Sequence, residues 1–356
     1  MKPFFSILIP SYNRPEYINE LLESIFLGGI EEFEVIISDD CSPKSILIGE
    51  IVEKYKKTGK VIFFPQSRNL GEVGNKNFLI SKSQGKFNII VGDDDRLKPG
   101  SLLKLKKNIL NNPGYDLYGF GYSTIDENGS LISNYSAPKL IELSATKTEH
   151  LEDIFSADML PLWIFHPATF FCRSGVEEEL GYSYEVGMAE DLYFIFEAIL
   201  NDKKILVLPD LIFEWRKIIV KSKSSQLNQS SEFLADFSAR LKIFNKLYQM
   251  KSSKYYSFFQ SEKFINRFLI KNILSDKRLN IKQLDFRFKE NESEKAVQKV
   301  IKENKSSPNA IIRLKQIMLL PKRIMIFMNI FGFQNTLIFV MGLFSIPRIK
   351  SIFYKR

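Results

Sequence analysis

The N-terminal part of the chain alternates short apolar runs with segments of helical spacing, and this alternation limits the possible folds most. Four runs rich in β-branched and aromatic residues are typical of buried strands: Phe4–Ile9, Phe33–Ser38, Lys60–Phe64 and Phe87–Gly92. The three segments between them have helical spacing: Pro15–Phe26, Pro43–Lys57 and Glu72–Ser83. Such alternation predicts an α/β fold, with a mostly parallel sheet flanked by helices.

A polar loop follows each predicted strand. These loops are Pro10–Arg14, Asp39–Ser42, Pro65–Asn77 and Gly92–Arg96. In sheets of this kind, ligands bind beyond the carboxyl ends of the strands. We therefore expect the loops to meet at one edge of the sheet and to form a single site.

The rest of the chain changes in composition. Further elements are expected up to Arg216: a helix from Pro99 to Asn111, a strand at Ala168–Arg173, a helix at Met188–Leu200 and a final strand region at 204–216. Residues 1–216 are therefore predicted to form the α/β domain. Residues 217–310 are predicted to be a Ser/Lys-rich linker with amphipathic helices, and residues 311–356 an apolar, basic segment.

The last segment has the composition of a membrane-contacting region. No charged residue occurs between Arg323 and Arg348, a length that suffices for a span, but polar residues such as Asn329 and Gln334 interrupt it. A helix lying in the membrane plane or a re-entrant segment fits as well, and a core helix pair or an oligomer interface is the alternative. The N-terminal apolar run is too short for a signal peptide. We expect a cytoplasmic protein at the inner face of the cell membrane.

The overall charge favours an anionic partner. The sequence has 50 Lys and Arg against 41 Asp and Glu, a net charge of +9. Nucleic acid, a phosphorylated substrate and an acidic membrane all fit this charge. The basic residues are dispersed and favour the C-terminal part, so nucleic acid is not expected as a partner. With two cysteines and two histidines, a disulfide framework and a Cys/His zinc site are excluded.

The sequence VGDDDRLKPG places three adjacent carboxylates, Asp93, Asp94 and Asp95, after the fourth predicted strand. Their mutual repulsion calls for a cation, and oxygen ligands favour Mg²⁺ or Mn²⁺. An ion held by one or two carboxylates keeps open positions for substrate phosphates. The alternative is a solvated acidic turn that favours the N-terminus of the following helix.

Three further motifs carry polar chemistry. In DDCS, Asp39 or Asp40 can accept hydrogen bonds from a ribose hydroxyl or a pyrimidine N–H, or can serve only as a helix cap. NLGEVGNKN supplies glycines and amides for close approach to a ligand, and matches neither a P-loop nor a dinucleotide fingerprint. Glu190 and Asp191 open a helix, where a carboxylate stays ionised and suits a general base, or merely complements the helix dipole.

The ordered set PSYNR, DDCS, NLG…GNKN, GDDD and AED resembles the family 2 glycosyltransferases, which have the glycosyltransferase-A fold. The resemblance covers about Pro3–Arg216 and implies a role for each motif. Donor-binding residues would be Pro10, Tyr12, Arg14, Asp39, Asp40, Asn69, Gly71, Asn75, Asp93, Asp94 and Arg216. Asp95 and Asp93 would bind the metal, and Asp191 would be the catalytic base with Glu190 beside it.

The resemblance implies a metal-dependent, inverting transfer of a sugar from a nucleotide-sugar donor, expected to be a UDP-sugar, with Mn²⁺ or Mg²⁺ as cofactor. A glycan or lipid-linked acceptor in bacterial surface polysaccharide synthesis fits the basic, apolar C-terminal part. The sequence departs from the family pattern in one place: family members often have Arg-x-His here, but no histidine follows Arg216. Arg216 can still contact the diphosphate, or Lys217 and Lys221 can substitute. His166 lies near the acceptor or is structural. The alternatives are a nucleotidyltransferase and an inactive glycosyltransferase-like scaffold protein at the membrane.

Overall fold

A computed structural model describes residues 2–136, 141–143 and 170–217. These residues belong to the first of two compact units into which the chain divides, Met1–Lys147 with Leu162–Lys242. The predicted linker and C-terminal segment, and His166 and Lys221, lie outside the described residues. The domain boundaries at 216 and 310 stay predictions. No helix within the described ranges has the length and apolar composition of a membrane span.

The N-terminal half of the sheet is the predicted parallel α/β layer. Its strands are β1 (Phe5–Ser11), β2 (Phe33–Asp39), β3 (Val61–Pro65) and β4 (Phe87–Ile90), paired in parallel in the order β3-β2-β1-β4. The helices between them are α1 (Pro15–Phe26), α2 (Ser45–Lys56) and α3 (Gly71–Lys82). The α/β prediction is confirmed, because each parallel pairing needs a crossover that a helix provides.

In the second half of the sheet, the described residues form six further strands and three further α-helices. In chain order these are β5 (Arg96–Leu97), α4 (Ser101–Asn111), β6 (Leu117–Ile125), β7 (Leu131–Tyr135), β8 (Ile141–Leu143), β9 (Phe170–Arg173), α5 (Val176–Leu180), a 3₁₀ helix (Tyr184–Ala189), α6 (Glu190–Leu200) and β10 (Ile205–Arg216). The full order is β3-β2-β1-β4-β9-β6-β10-β5, with β7 on β6 and β8 on β10.

Beyond β4 the sheet is mixed. Strand β9 is antiparallel to both β4 and β6, whereas β10 is parallel to β6. An antiparallel neighbour needs no crossover helix, and β6 and β7 are joined by a short turn at 126–130. The predicted helix at Met188–Leu200 begins at Glu190, because the residues before it form the 3₁₀ turn.

The core lies on both faces of the sheet and is rich in aromatic rings. Phe171 on β9 is fully buried, with its ring centroid 5.1 Å from that of Phe5 on β1 and 6.0 Å from that of Phe120 on β6. Helix α1 buries Ile18, Leu21, Leu22 and Ile25, the stripe that its spacing predicts. Phe171 thus connects strand β1 of the parallel layer to strand β6 of the mixed half of the sheet.

The strand register aligns the ends of the central strands. Residue for residue, β1 pairs with β2 from Phe5 and Phe33 to Ser11 and Asp39. Strand β4 ends at Ile90, opposite Leu8, so the acidic loop follows β4 beside the last residues of β1. The polar loops after these parallel strands therefore lie at one edge, as predicted.

We expect Phe171→Ala to lower the free energy of unfolding by about 3–5 kcal/mol, because it opens a cavity between three strands. Ile46→Ala, at a position that is 82% exposed, is the control and should change it by less than about 0.5 kcal/mol. Urea unfolding followed by circular dichroism measures both. Equal midpoints for the two variants would contradict the assigned core.

Candidate functional site

Asp93 is the hydrogen-bond acceptor at the centre of the acidic loop. Its Oδ2 accepts from the Ser11 hydroxyl at 2.9 Å and from the Tyr12 N–H at 3.1 Å, and its Oδ1 accepts from Arg14 Nη1 at 3.1 Å. Burial raises the pKa of Asp93 to about 6, although Arg14 and the Ser11 hydroxyl favour the ionised form. The end of β1 and the loop after β4 are thereby held together.

The other two carboxylates of the loop, Asp94 and Asp95, each accept a hydrogen bond from a different arginine. Arg14 Nη1 also donates to Asp94 Oδ2 at 2.9 Å, and the Arg216 N–H donates to Asp95 Oδ1 at 2.9 Å. Burial and the charge of Asp94 raise the pKa of Asp95 well above its usual range. A cation brought close to Asp95 would offset both effects.

The acidic loop fits a divalent cation through part of the predicted ligand set. A Cβ placed on Gly92 would lie 2.9 Å from Asp95 Oδ2 and 3.1 Å from Asp94 Oδ1, so these two oxygens converge beside a residue that has no side chain. Both oxygens of Asp93 already accept protein donors, which leaves Asp95 better suited than Asp93 to bind a metal. Among the described residues no group of three His, Cys, Asp or Glu side chains is arranged to hold an ion. A cation bound by one or two carboxylates and by phosphates needs no such group.

Arg216 is a buried anchor for the acidic loop. Its guanidinium donates to the backbone carbonyls of Asp94, Asp126 and Glu127 and to Glu20 Oε2, at 2.5 to 3.3 Å. Its carbon Cζ lies 4.7 Å from the centroid of the Tyr17 ring. The N–H groups of the guanidinium are thus already bound to acceptors within the protein. Contact of Arg216 with the nucleotide-sugar donor stays a prediction. Lys217 places its Nζ 5.0 Å from the Trp215 ring centroid.

The two aspartates at the end of β2, Asp39 and Asp40, accept hydrogen bonds from nearby backbone N–H groups. Asp40 accepts from the N–H groups of Leu70 and Gly71 at 2.6 and 3.0 Å, at the start of α3. Asp39 is fully buried and accepts from the N–H and hydroxyl of Ser42. The capping alternative from the sequence, for the helix near Pro43, is wrong, because α2 begins at Ser45 after Lys44 without a side-chain cap, and Asp40 caps α3 instead. Recognition of a base or ribose by these carboxylates stays a prediction.

The other predicted donor-side residues lie around these caps. Asn69 donates to the Asp40 carbonyl at 3.1 Å, and its Oδ1 accepts from the Gly71 N–H. Asn75 is buried and donates to the Ser38 carbonyl at 2.9 Å. Pro10 is the next-to-last residue of β1, and Tyr12, which follows β1, is 51% exposed.

The second predicted group, Glu190 and Asp191, begins α6 and faces α3. Glu190 is buried, and its Oε1 accepts from Lys76 Nζ at 2.6 Å. Burial raises the pKa of Asp191 to about 7, with Lys76 opposing this and Glu190 adding to it. Asp191 therefore titrates near neutral pH, which suits a general base.

Arg14 and Glu72 connect the two groups. Glu72 Oε1 accepts from the same Lys76 Nζ at 2.9 Å, and Lys76, together with the more distant Arg14, lowers the pKa of Glu72. Arg14 thus lies between the acidic loop and the α3 cluster. The structure brings the predicted donor and acceptor residues into one neighbourhood.

Lys76 and Ser11 are the site residues that the sequence motifs missed. Lys76 belongs to the GNKN motif, but its spacing from Glu72 is that of a solvated helix pair, and only the fold shows that it is buried. Ser11 lies within PSYNR, where nothing local distinguishes it from a turn residue.

A family model described as Glycosyl transferase family 2 matches residues 6–172. An uncharacterized glycosyltransferase of Methanocaldococcus jannaschii is 29% identical over 217 residues, 60% of this chain and 71% of that protein. The poly(ribitol-phosphate) β-N-acetylglucosaminyltransferase TarS of Staphylococcus aureus is 27% identical, over 58% of this chain and 34% of its own length. The GalNAc(5)-diNAcBac-PP-undecaprenol β-1,3-glucosyltransferase of Campylobacter jejuni is 29% identical, over 45% of this chain and 52% of its own. The chain thus spans about a third to about two thirds of the length of these relatives.

Solved structures share the fold. S. aureus TarS in complex with UDP-GlcNAc matches with a TM-score of 0.57 and 24% identity, over 81% of this chain and 77% of that chain. A mannosyltransferase from Pyrobaculum calidifontis, in complex with GDP-Man and Mn²⁺, matches with a TM-score of 0.52 and 12% identity, over 100% of this chain and 89% of that chain. Together with the strand order, these matches confirm the predicted glycosyltransferase-A type of fold.

We expect Arg216→Met to destabilise the domain by about 3 kcal/mol, because it leaves three backbone carbonyls of the loops without their donor. Arg68→Met removes an exposed guanidinium and is the matched control. Thermal unfolding of both variants measures the difference. A loss of nucleotide binding with an unchanged unfolding midpoint would instead assign Arg216 to the donor.

Proposed function

Because the chain carries a family 2 glycosyltransferase domain over residues 6–172, we propose that it transfers a sugar, with inversion, from a nucleotide sugar to an acceptor hydroxyl. A UDP-sugar is the proposed donor, and a glycan or lipid-linked acceptor of bacterial surface polysaccharide synthesis is the proposed acceptor. The observation that carries this proposal is the convergence of Asp93–Asp95 and Asp191 around Arg14 and Lys76 at one sheet edge.

The relatives support this choice of substrates. TarS is a poly(ribitol-phosphate) N-acetylglucosaminyltransferase and is seen with UDP-GlcNAc. The C. jejuni relative is a glucosyltransferase that acts on an undecaprenol-linked glycan. An acceptor that is polyanionic or attached to a lipid diphosphate agrees with the net charge of +9. It also agrees with the apolar, basic C-terminal sequence.

On the donor side, Arg14 is the cation that the described residues offer to the diphosphate. Arg14 is exposed, and its Nη1 joins Asp93 and Asp94, so the guanidinium is available to a phosphate that reaches the loop. Tyr12 presents an exposed ring beside it, on which a nucleobase can stack. The backbone N–H groups of Leu70 and Gly71, at the start of α3, are already capped by Asp40.

A divalent cation would be held by Asp95, with Asp94 or Asp93 beside it. When bound, it supplies Lewis-acid stabilisation of the charge on the departing nucleoside diphosphate. The fit rests on the convergence of Asp95 Oδ2 and Asp94 Oδ1 beside Gly92.

On the acceptor side, Asp191 takes the proton of the attacking hydroxyl. One Asp191 oxygen, Oδ1, accepts from the Leu192 N–H at 2.7 Å, which orients the carboxylate. The hydroxyl oxygen attacks the anomeric carbon from the face opposite the diphosphate, and the bond to the diphosphate oxygen breaks. With Asp191 as the base and the nucleoside diphosphate as the leaving group, a single displacement needs no glycosyl-enzyme intermediate, so inversion is expected.

Asp191→Asn should lower the rate of sugar transfer by about a hundredfold or more while leaving nucleotide affinity unchanged, because it removes the base and not the donor contacts. The control is Asp210→Asn, which should keep full activity: Asp210 lies on β10 and is paired with Lys104 on α4. Released nucleoside diphosphate, across a panel of nucleotide sugars, measures transfer, and titration with UDP and Mn²⁺ measures binding. Full activity of Asp191→Asn would remove Asp191 as the base. If the wild-type protein releases nucleoside diphosphate from none of the nucleotide sugars, the proposed function is contradicted. If it then still binds UDP in a metal-dependent way, the scaffold alternative is favoured.

The pH dependence of transfer should follow the ionisation of Asp191. Because its pKa is raised to about 7, the carboxylate is the active form above that pH and is protonated below it. We therefore expect kcat/KM to fall about tenfold per pH unit below pH 7. Initial rates between about pH 5 and pH 9 check this, with nucleotide affinity measured at each pH as the control. A profile that stays flat down to about pH 5 would show that Asp191 is not the titrating group.

A further inference from the structure

Lys76 is a buried cation on α3 for which the sequence motifs and the proposed chemistry provide no role. Its side chain is 4% exposed, and its Nζ donates to Glu72 at 2.9 Å and to Glu190 at 2.6 Å. Burial lowers the pKa of Lys76, but Glu72, Glu190 and Asp191 together raise it above its usual range. Lys76 is therefore charged at neutral pH.

Helix α3 is docked on the segment that leads into α6. The Asn77 amide donates to the Tyr182 carbonyl at 3.0 Å and accepts from the Tyr182 N–H at 2.9 Å. Lys76 Nζ lies 5.6 Å from the centroid of the Tyr182 ring. Two successive residues of α3 thus bind the chain at two places: Asn77 binds Tyr182, before the 3₁₀ helix, and Lys76 binds Glu190, the first residue of α6.

The charged and titratable groups around Asp191 come from four elements. Lys76 and Glu72 face it from α3, and Glu190 precedes it on α6. Cys172 on β9, Glu177 on α5 and Tyr182 line the same small cavity as Asp191. In this set Lys76 supplies the positive charge, while Glu72, Glu177 and Glu190 are acidic.

We propose that Lys76 is a positioning residue for the acceptor-side base: through its ion pair with Glu190 it fixes the start of α6, and its charge favours the carboxylate form of the adjacent Asp191. This inference rests on the proposed function, in which Asp191 is the base. A buried ion pair contributes little net stability, because desolvation offsets the attraction. The presence of the buried Lys76–Glu190 pair is therefore better explained by its position next to Asp191 than by a contribution to stability.

Lys76→Met removes the charge and keeps most of the side-chain volume. We expect it to raise the titration midpoint of Asp191 by about one pH unit or more, because an opposite charge nearby favours the carboxylate. At pH 7, kcat/KM should then fall about fivefold or more, with little change in donor KM. Lys76→Arg should restore most of the wild-type pH profile. Lys82→Met, in the last turn of the same helix and away from the site, is the control.

The midpoint is measured directly by ¹³C NMR of the full-length protein labelled at its aspartate carboxyl carbons. The resonance that disappears in Asp191→Asn identifies Asp191, so the titration does not depend on transfer activity. If Lys76→Met leaves the midpoint, the pH profile and kcat/KM unchanged while the wild type transfers sugar, the inference is overturned and the proposed function stands. If the wild type transfers no sugar, the proposed function fails, and the NMR titration still decides whether Lys76 controls Asp191.

Circular dichroism shows whether Lys76→Met folds, since removing Lys76 leaves Glu190 buried without its partner. Should it not fold, Glu190→Gln provides the test with the opposite sign. It removes a negative charge and frees Lys76, so the Asp191 midpoint should fall by about one pH unit. An unchanged midpoint in Glu190→Gln would overturn the inference.

Discussion

The candidate site depends on how the chain solvates buried carboxylates at the ends of its strands. An ionised carboxylate out of water needs donors, and Asp93 obtains them from Ser11, Tyr12 and Arg14 on the neighbouring strand end. Asp95 obtains one from the backbone of Arg216, at the end of β10. These bonds join the first strand, the fourth strand and the last described strand, which are far apart in sequence. The geometry of the edge follows from satisfying these carboxylates.

Arg216 extends this arrangement to the turn between β6 and β7. Its guanidinium satisfies carbonyls of Asp94, Asp126 and Glu127, so the acidic loop and the β6–β7 turn share one donor group. Glu20, on α1, binds both Arg216 and Arg96. An arginine suits such a position because its planar group donates in several fixed directions. The loop that carries the acidic residues is therefore held by Arg216 on one side, while the more exposed Arg14 binds Asp93 and Asp94 on the other.

Periodicity predicted the elements of the parallel layer because each is long enough to repeat its pattern; α1 has the predicted bounds, Pro15–Phe26. The same reasoning missed β5, whose two residues carry no pattern, and the 3₁₀ turn before α6. For the site, strand-end loops were enough to gather the acidic residues. Sequence could not decide whether Asp40 caps α3 or awaits a ligand, nor that Lys76 is buried, because Glu190 lies 114 residues away and only tertiary packing brings the two together. Short-range pattern predicts elements, and long-range pairs decide side-chain partners.

The distribution of ion pairs separates the two edges of the sheet. At the amino ends of the strands, the pairs of Lys60 with Glu31 and Lys106 with Glu32 are exposed and contribute little. At the carboxyl ends, Asp93, Asp95, Lys76 and Glu190 are buried, where each unpaired charge would be costly. Stability alone would favour apolar residues at these four positions. The chain instead buries Asp93, Asp95, Lys76 and Glu190 there, with the exposed Arg14 and Glu72 paired to them. The desolvation cost is therefore concentrated where charge must form and move during a reaction. That cost is intelligible only if the edge has a chemical task.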